Sequence, residues 1–416
     1  MENYKNKNDL LHDDVLKLRQ IEKVFLQRCS QFGYQEIKTS TIEPLHIFMA
    51  TDALAPEILK KVYSFVDWSG WSGERVVLRP DCTVSAARYY LANLADKEEA
   101  RLFYMENHFL LSDTGQDVSE RWQFGLEHIG ENSPVPDVET LFIALDTLRA
   151  SGVERFYLHL SFPAIITECV NRAFPDKERS KVMGWIKDGD YEKLRTSAEA
   201  QKPYLEVLLR LLQFKGANSA YLANLKSEFP KTDDIQEHLD RFYLVCMHMD
   251  NLGYEYEINF SLSKNFEYYT GMQFEVLSVP QKRSGREVLC AGGRYDTLIA
   301  MLGGRYIPSV GFALYVKNIL PLISNRQDQL QRIGIVVSSI TGQNISTAQQ
   351  LCNVLGEFGF ECSISFTEIP QDKLSSYGLV LEVDHQKYED GYCFLHCNQL
   401  GRSLLRKLIK RGNANG

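Results

Sequence analysis

Three short stretches carry side chains suited to holding a small charged ligand. In QFGLEHIG, residues 123–130, a strand would turn Gln123, Gly125 and Glu127 to one face and Phe124, Leu126 and His128 to the other. An amide and a carboxylate beside a gap left by glycine are costly to bury without partners. A cationic, hydrogen-bonding ligand would satisfy both. An exposed sheet face would need no ligand, and this strand alone does not separate the two readings. In EYYTGMQFE, Tyr268 and Tyr269 are adjacent, so one phenol can line a pocket while the other packs. In AGGRYD, Gly292 and Gly293 permit close approach of neighbouring chain or ligand. Other chemistries find little support. The glycines of GGRYD and LGGRY are not followed by the Lys-Ser/Thr of a phosphate-binding loop. No Ser-His-Asp order or acid pair points to hydrolysis. Cys393 and Cys397 flank His396 but sit in an expected strand with no second pair at ligand spacing, so no metal is expected.

The elements that must position these residues follow from periodicity. Residues 11–33 read as a helix, with Leu16, Leu18, Ile21, Val24, Phe25 and Cys29 at helical spacing and Gly33 as its stop. YQEIKTSTIEP reads as a strand ended by Pro44. RVVLRP is expected as a strand leading into the helix CTVSAARYYLANL. RLFYMENHFLL and RWQFGLEHIG read as two strands around the loop SDTGQDVSE. Residues 137–150 are helical and FYLHLSF is a strand. Residues 164–253 form a helical insertion, and strands return from Glu255 to about Leu322. The expected organisation is therefore a core over 1–323, a polar linker, and a small α/β unit over 332–416.

Composition narrows the class. Hydrophobic residues make up 44% and charged residues 24% of the 416, as in an ordinary globular protein of two or three domains. The net charge of −8 argues against broad nucleic-acid binding, the basic cluster Arg402, Arg406, Lys407, Lys410 and Arg411 fitting the solvated face of a last helix. No apolar run is long enough for a membrane span, and MENYKNKNDLLHDD carries no apolar signal core. Nine scattered cysteines fit reduced thiols in the cytoplasm.

KNFEYYTGMQFEVLS, VLCAGGRYDTL and IPSVGFALYVKN, in that order between Lys264 and Asn318, resemble the amino-acid pocket and last motif of the class II histidyl-tRNA synthetases. The resemblance runs from about residue 10 to 322. It implies an α+β fold built on the class II antiparallel sheet, paired as a homodimer. It implies that Asp81 and Thr83 of LRPDCT, with Gln123, Glu127, Tyr268 and Tyr269, hold a histidine-like ligand. Asp81 stands where the family has glutamate. The resemblance also exposes a loss. The Arg and Glu of the second motif fall on Leu110 and Ser112, the Glu-Arg of the third on Lys317 and Asn318, and a further catalytic arginine on Lys264. Arginine's planar fork stabilises the transferring phosphate, and leucine and asparagine offer no such charge. Arg121, on the strand face opposite Glu120 and Trp122, is not counted as a replacement. Within this family the sequence is most similar to the regulatory subunits of ATP phosphoribosyltransferase. That implies a non-catalytic, histidine-binding partner of a short-form catalytic subunit in histidine biosynthesis, with no cofactor and no tRNA. The alternatives are a synthetase-like ATP-dependent ligase, in which Lys264, Arg294 and Lys317 replace the lost arginines, and a binding scaffold with a vestigial pocket.

Overall fold

The computed structural model describes residues 9–51, 60–66, 75–111, 118–197, 201–227, 229, 234–262, 269–279, 285–324, 332–357, 361–370, 377, 379–389 and 392–397. The chain divides into two compact units, Met1–Ser324 and Asn325–Gly416.

The first unit is organised by a nine-stranded sheet in the order β1 (Gln35–Glu36), β5 (Ala100–Leu111), β6 (Val118–Ile129), β12 (Ser309–Tyr315), β11 (Val288–Arg294), β10 (Gln273–Ser278), β7 (Phe156–Ser161), β9 (Glu257–Asn259) and β8 (Lys215–Gly216). Its long central pairings, from β5 to β7, are antiparallel. A small sheet of β2 (Ile42–Pro44), β4 (Arg75–Leu78) and β3 (Ser64–Val66) stands apart from it.

One face of the large sheet is apolar. Phe103, Phe124, Phe312 and Phe274 line it, and helix α1 (His12–Gln31) packs there through Leu18, Ile21, Phe25 and Cys29. The Phe25 ring lies 5.7 Å from Phe103, 5.8 Å from Phe124 and 6.1 Å from Phe312, an aromatic cluster that seats the helix by both area and ring geometry. Gly33, at φ +78°, turns the chain out of α1. The helix α4 (Val135–Ser151) covers the same face, after the short α2 (Leu45–Ala50) and the helix α3 (Cys82–Asn93).

The helical insertion begins with Pro163–Ala173 and closes with α10 (Asp234–Asn251). It is not wholly helical. Its β8 pairs with β9 and so extends the main sheet. YQEIKTSTIEP is also not one strand. Gln35–Glu36 pairs with β5 and Ile42–Pro44 with β4, and the segment between them leaves the ladder. There the Thr39 N–H and hydroxyl both donate to Glu106, at 2.6 and 2.7 Å, so a side chain takes the place of a ladder partner. Pro44 does not simply end the strand but stands at the N-terminus of α2, where its missing N–H is harmless.

The second unit is a four-stranded sheet ordered β14 (Glu361–Ser365), β13 (Arg332–Val337), β15 (Leu379–Val383) and β16 (Tyr392–Cys397). Helix Gly342–Glu357 links β13 to the parallel β14. The expected last helix, with its basic cluster, lies outside the described residues.

Candidate functional site

The other face of the large sheet is polar, and register shows how it is built. Directly opposed residues in an antiparallel pair share a face. Glu127 opposes Leu102 on one side and Gly311 on the other. Gly125 opposes Tyr104 and Ala313, and Gln123 opposes Glu106 and Tyr315. Gly311 in turn opposes Gly293. Small residues thus run across the middle of the sheet and leave a trough, with long polar side chains along its length. The glycines clear space for particular neighbours. A Cβ on Gly125 would strike the Tyr104 ring, one on Gly311 the Glu127 carboxylate, and one on Gly293 the Tyr269 ring at 2.7 Å.

Glu127 is the centre of this trough. Only 1% of it is exposed. Oε1 accepts from the Tyr104 hydroxyl at 3.3 Å, and Oε2 accepts from Tyr295. The Thr83 hydroxyl is a further hydrogen-bond partner. Among the described residues no lysine or arginine pairs with it. Burial pushes its pKa up to about 8; the hydroxyls pull against that rise, and the negative charge of Asp81 adds to it. A carboxylate in this state gains its full charge when a cation arrives. Gln123, 4% exposed, has an Oε1 with no donor among the described residues. Gln123 and Glu127 bracket Gly125 on the same strand face, as alternation predicts. The reading of this face as solvent-exposed is overturned, since α3 and its neighbours cover it.

Asp81 and Thr83 enter from the start of α3. Asp81 is the N-cap: its Oδ1 accepts from the Val84 N–H at 2.8 Å. Burial raises its pKa and the capping bonds oppose the rise. The residue expected only as a ligand group therefore also starts the helix that aims Thr83 into the trough. Tyr269 lies close enough to Asp81 and Glu127 for both charges to act on its phenol, whose pKa burial raises. The structure thus brings Asp81, Thr83, Glu127 and Tyr269 together, with Gln123 farther along the same face. Tyr268, Lys264 and Ser112 lie outside the described residues.

Tyr104 and Tyr295 did not emerge from the sequence. Tyr104 becomes visible only when β5 is set in register with β6, and Tyr295 only when β11 is known to end beside the trough. Glu106 faces the same side and shows what Glu127 lacks: the Arg79 guanidinium is 2.8 Å away, with both side chains buried. Arg294, expected as a stand-in for a lost arginine if ATP is used, points the other way. It is 1% exposed, donates from Nε to Asp137 at 2.9 Å, and pairs with Asp296 at 3.2 Å. Its position one residue out of phase with Gly293 puts it on the α4 face, which removes it from that role.

A cleft of about 450 Å³ opens at the far end of β6 and β12, lined in part by Arg121, Tyr315, Lys317 and Asn318. The Asn318 amide is committed to the backbone, donating to the Val288 carbonyl at 2.8 Å. Leu110, half-buried, opposes Ser119 and offers no donor. Arg121 opposes His108, so it shares the trough face with Gln123, and its Nε donates to Ser119 at 2.8 Å.

Comparison with known proteins agrees with this architecture. The family model described as histidyl-tRNA synthetase matches residues 6–319. A Dehalococcoides mccartyi protein named ATP phosphoribosyltransferase regulatory subunit is 36% identical over 389 residues, 92% of this chain and 91% of that one. A Methanocaldococcus jannaschii histidine–tRNA ligase is 29% identical over 339 residues, 79% of this chain and 77% of its own. Among solved structures, a Bacillus halodurans ATP phosphoribosyltransferase regulatory subunit/histidyl-tRNA synthetase superposes with a TM-score of 0.74 at 19% identity, covering 91% of this chain and 98% of that one. The apo histidyl-tRNA synthetase of S. aureus gives 0.62 at 20% identity, over 92% and 91% of the two chains. A nine-stranded, largely antiparallel sheet with a helical insertion, carried by a sequence that this family describes over three-quarters of its length, makes the chain a member of the histidyl-tRNA synthetase family.

Proposed function

We propose that this chain is a non-catalytic regulatory subunit of ATP phosphoribosyltransferase, binding histidine in the Glu127 trough and relaying its presence to a short-form catalytic subunit. The observation that carries the reading is Glu127 itself, a carboxylate buried in a trough with hydroxyl partners and, among the described residues, no counter-cation. An imidazole N–H or α-ammonium would supply the charge, and Gln123 and Asp81 would hold the polar remainder. The relatives named regulatory subunits, 36–37% identical across nine-tenths of the chain, support the role. Regulation then requires that histidine bind one state of the complex better than another.

The trough is a binding site, and adenylation is not its chemistry in this reading. Leu110 and Asn318 lack the charge that a transferring phosphate requires, and Arg294 is engaged elsewhere. We place the protein in the cytoplasm as a homodimer within a larger hetero-oligomer. The exposed apolar side chains of the small sheet and α2, namely Ile42, Met49 and Phe65, fit a pairing surface.

A second reading is favoured by one observation. Arg121 and Lys317 share the cleft at the trough's end and keep two positive charges there. If they bind ATP, the chain is a synthetase-like ligase activating an amino acid or other carboxylate. Calorimetric titration with histidine, then with ATP and magnesium, separates the two. Histidine binding that weakens about a hundredfold in Glu127→Gln, with no ATP binding and no ATP–pyrophosphate exchange, is the expected result. Pyrophosphate exchange would establish the ligase instead, and failure to bind any amino acid would leave a scaffold.

A further inference from the structure

A second cavity is remote from the trough's centre and plays no part in the function proposed above. It lies where β7, β8 and β9 meet the ends of α4 and α10, and measures about 900 Å³. That volume is in the range of sites for small organic ligands. Four cations line it: Arg149, Arg155, Lys215 and Arg286. In a chain of net charge −8 this is a local reversal of sign.

The guanidiniums are ordered without being neutralised. Arg149 lies over the Tyr254 ring at 4.0 Å, and Arg286 over Tyr157 at 4.2 Å. Stacking holds the guanidinium plane while leaving its in-plane N–H groups able to donate. Among the described residues no carboxylate forms an ion pair with Arg149, Arg155 or Arg286. The carboxylates on the wall are Glu154, Glu255 and Glu257, and Glu257 is engaged by Lys215 at 3.5 Å.

A second feature points inward. His159 lines the cavity from β7 and is 7% exposed, yet its Nδ1 has no partner among the described residues. Burial lowers its pKa, with the nearby Arg286 and Lys215 charges adding to that fall and Glu257 opposing it. A neutral imidazole there offers one hydrogen bond, as donor or acceptor. Tyr221, also on the cavity wall, is 47% exposed and so has aromatic surface open to a ligand.

We propose that this cavity is a binding site for a phosphate monoester carrying a planar base, a ligand of the nucleoside monophosphate class. The stacked arginines take the phosphate, His159 hydrogen-bonds the ligand's polar interior, and the open tyrosine face stacks on the base. The site is independent of the amino-acid trough.

The test is calorimetric titration of the full chain with adenosine 5′-monophosphate, with adenosine and inorganic phosphate as separate arms. The expected result is saturable one-to-one binding of the monophosphate and adenosine weaker by about tenfold or more, the charge-assisted contacts to phosphate being the stronger ones. Arg149→Gln and Arg286→Gln should each raise Kd by about tenfold with the thermal midpoint retained. Glu127→Gln should leave this Kd unchanged even though it weakens histidine binding about a hundredfold, so failure of one site is distinguishable from failure of the other. No binding of the monophosphate to the wild-type chain overturns the proposal. So does binding that survives both arginine substitutions, or binding lost instead in Arg121→Gln, which would move the anion to the cleft beyond Gln123.

Discussion

Two carboxylates in the first unit are equally dry and entirely different in their company. Asp137, 0% exposed, has Arg294 on one oxygen at 2.9 Å and Arg241 on the other at 2.9 Å. Glu127, 1% exposed, has only hydroxyls as partners among the described residues. The first arrangement is closed. It ties the opening turn of α4 to the end of β11 and to α10 of the insertion, and its charges cancel within the chain. The second is open. Three hydroxyls soften the cost of desolvation without supplying a charge, and the carboxylate's pKa rises accordingly. A closed network serves the architecture. An open one keeps a charge in reserve for something that is not part of the chain.

The largest effect is expected where the closed network is broken. Asp137→Ala would leave Arg294 buried with only Asp296, and should destabilise the protein by about 3–5 kcal/mol. Chemical denaturation measures it; a change of under about 1 kcal/mol would mean that the pair is not what anchors the insertion. At the open site the pattern should invert. Glu127→Gln should weaken histidine binding by about 2–3 kcal/mol, roughly a hundredfold, while leaving stability at about pH 5, where the native carboxyl is still protonated, within about 1 kcal/mol of the wild type. If the substitution instead unfolds the protein and spares affinity, Glu127 belongs with Asp137 as a structural charge.

Gly125 tests the link between the trough and its floor. A methyl group there meets the Tyr104 ring, which must move and give up its hydrogen bond to Glu127. Gly125→Ala should cost about 1–3 kcal/mol, the range for overpacking. It should also weaken histidine binding, whereas Tyr104→Phe with Gly125→Ala would restore part of the stability and none of the hydroxyl. An additive double variant would show that the two residues do not meet.

How much of this was legible from the sequence depended on the range of the information needed. Alternation along β6 is local, so Gln123, Gly125 and Glu127 could be assigned to one face from period two alone. The N-cap role of Asp81 was equally local, readable as an acid before CTVSAARYY. Tyr104 and Arg294 needed information that a single strand does not carry. Tyr104 reaches Glu127 because Gly125 opposes it in register, and register is a property of two strands. Arg294 follows Gly293 by one residue, and only the pairing of Gly293 with Gly311 tells which of them faces the trough. The break in YQEIKTSTIEP came from Glu106, distant in sequence, which captures Thr39. Three further site positions, Ser112, Lys264 and Tyr268, are outside the described residues.

The most gradual effect, and the one that most sharpens the contrast, is in pH. Unfolded, Glu127 titrates near its ordinary 4.5; folded and without ligand it titrates near 8. Between these values the native state holds a proton that the unfolded state has released. Stability from this group therefore falls as pH rises from about 4.5 through about 8, with a slope of at most about 1.4 kcal/mol per pH unit. In Glu127→Gln the slope should flatten by that share, while wild type and Asp137→Asn should keep it. The same proton governs binding. A cationic ligand requires the ionised carboxylate, so histidine should release a fraction of a proton at pH 7. The observed binding enthalpy should then vary with the ionisation heat of the buffer, and the proton release should shrink as pH rises towards the raised pKa. Binding enthalpy that is the same in all buffers at pH 7 would mean that Glu127 is already ionised, and the difference between the two carboxylates would reduce to geometry alone.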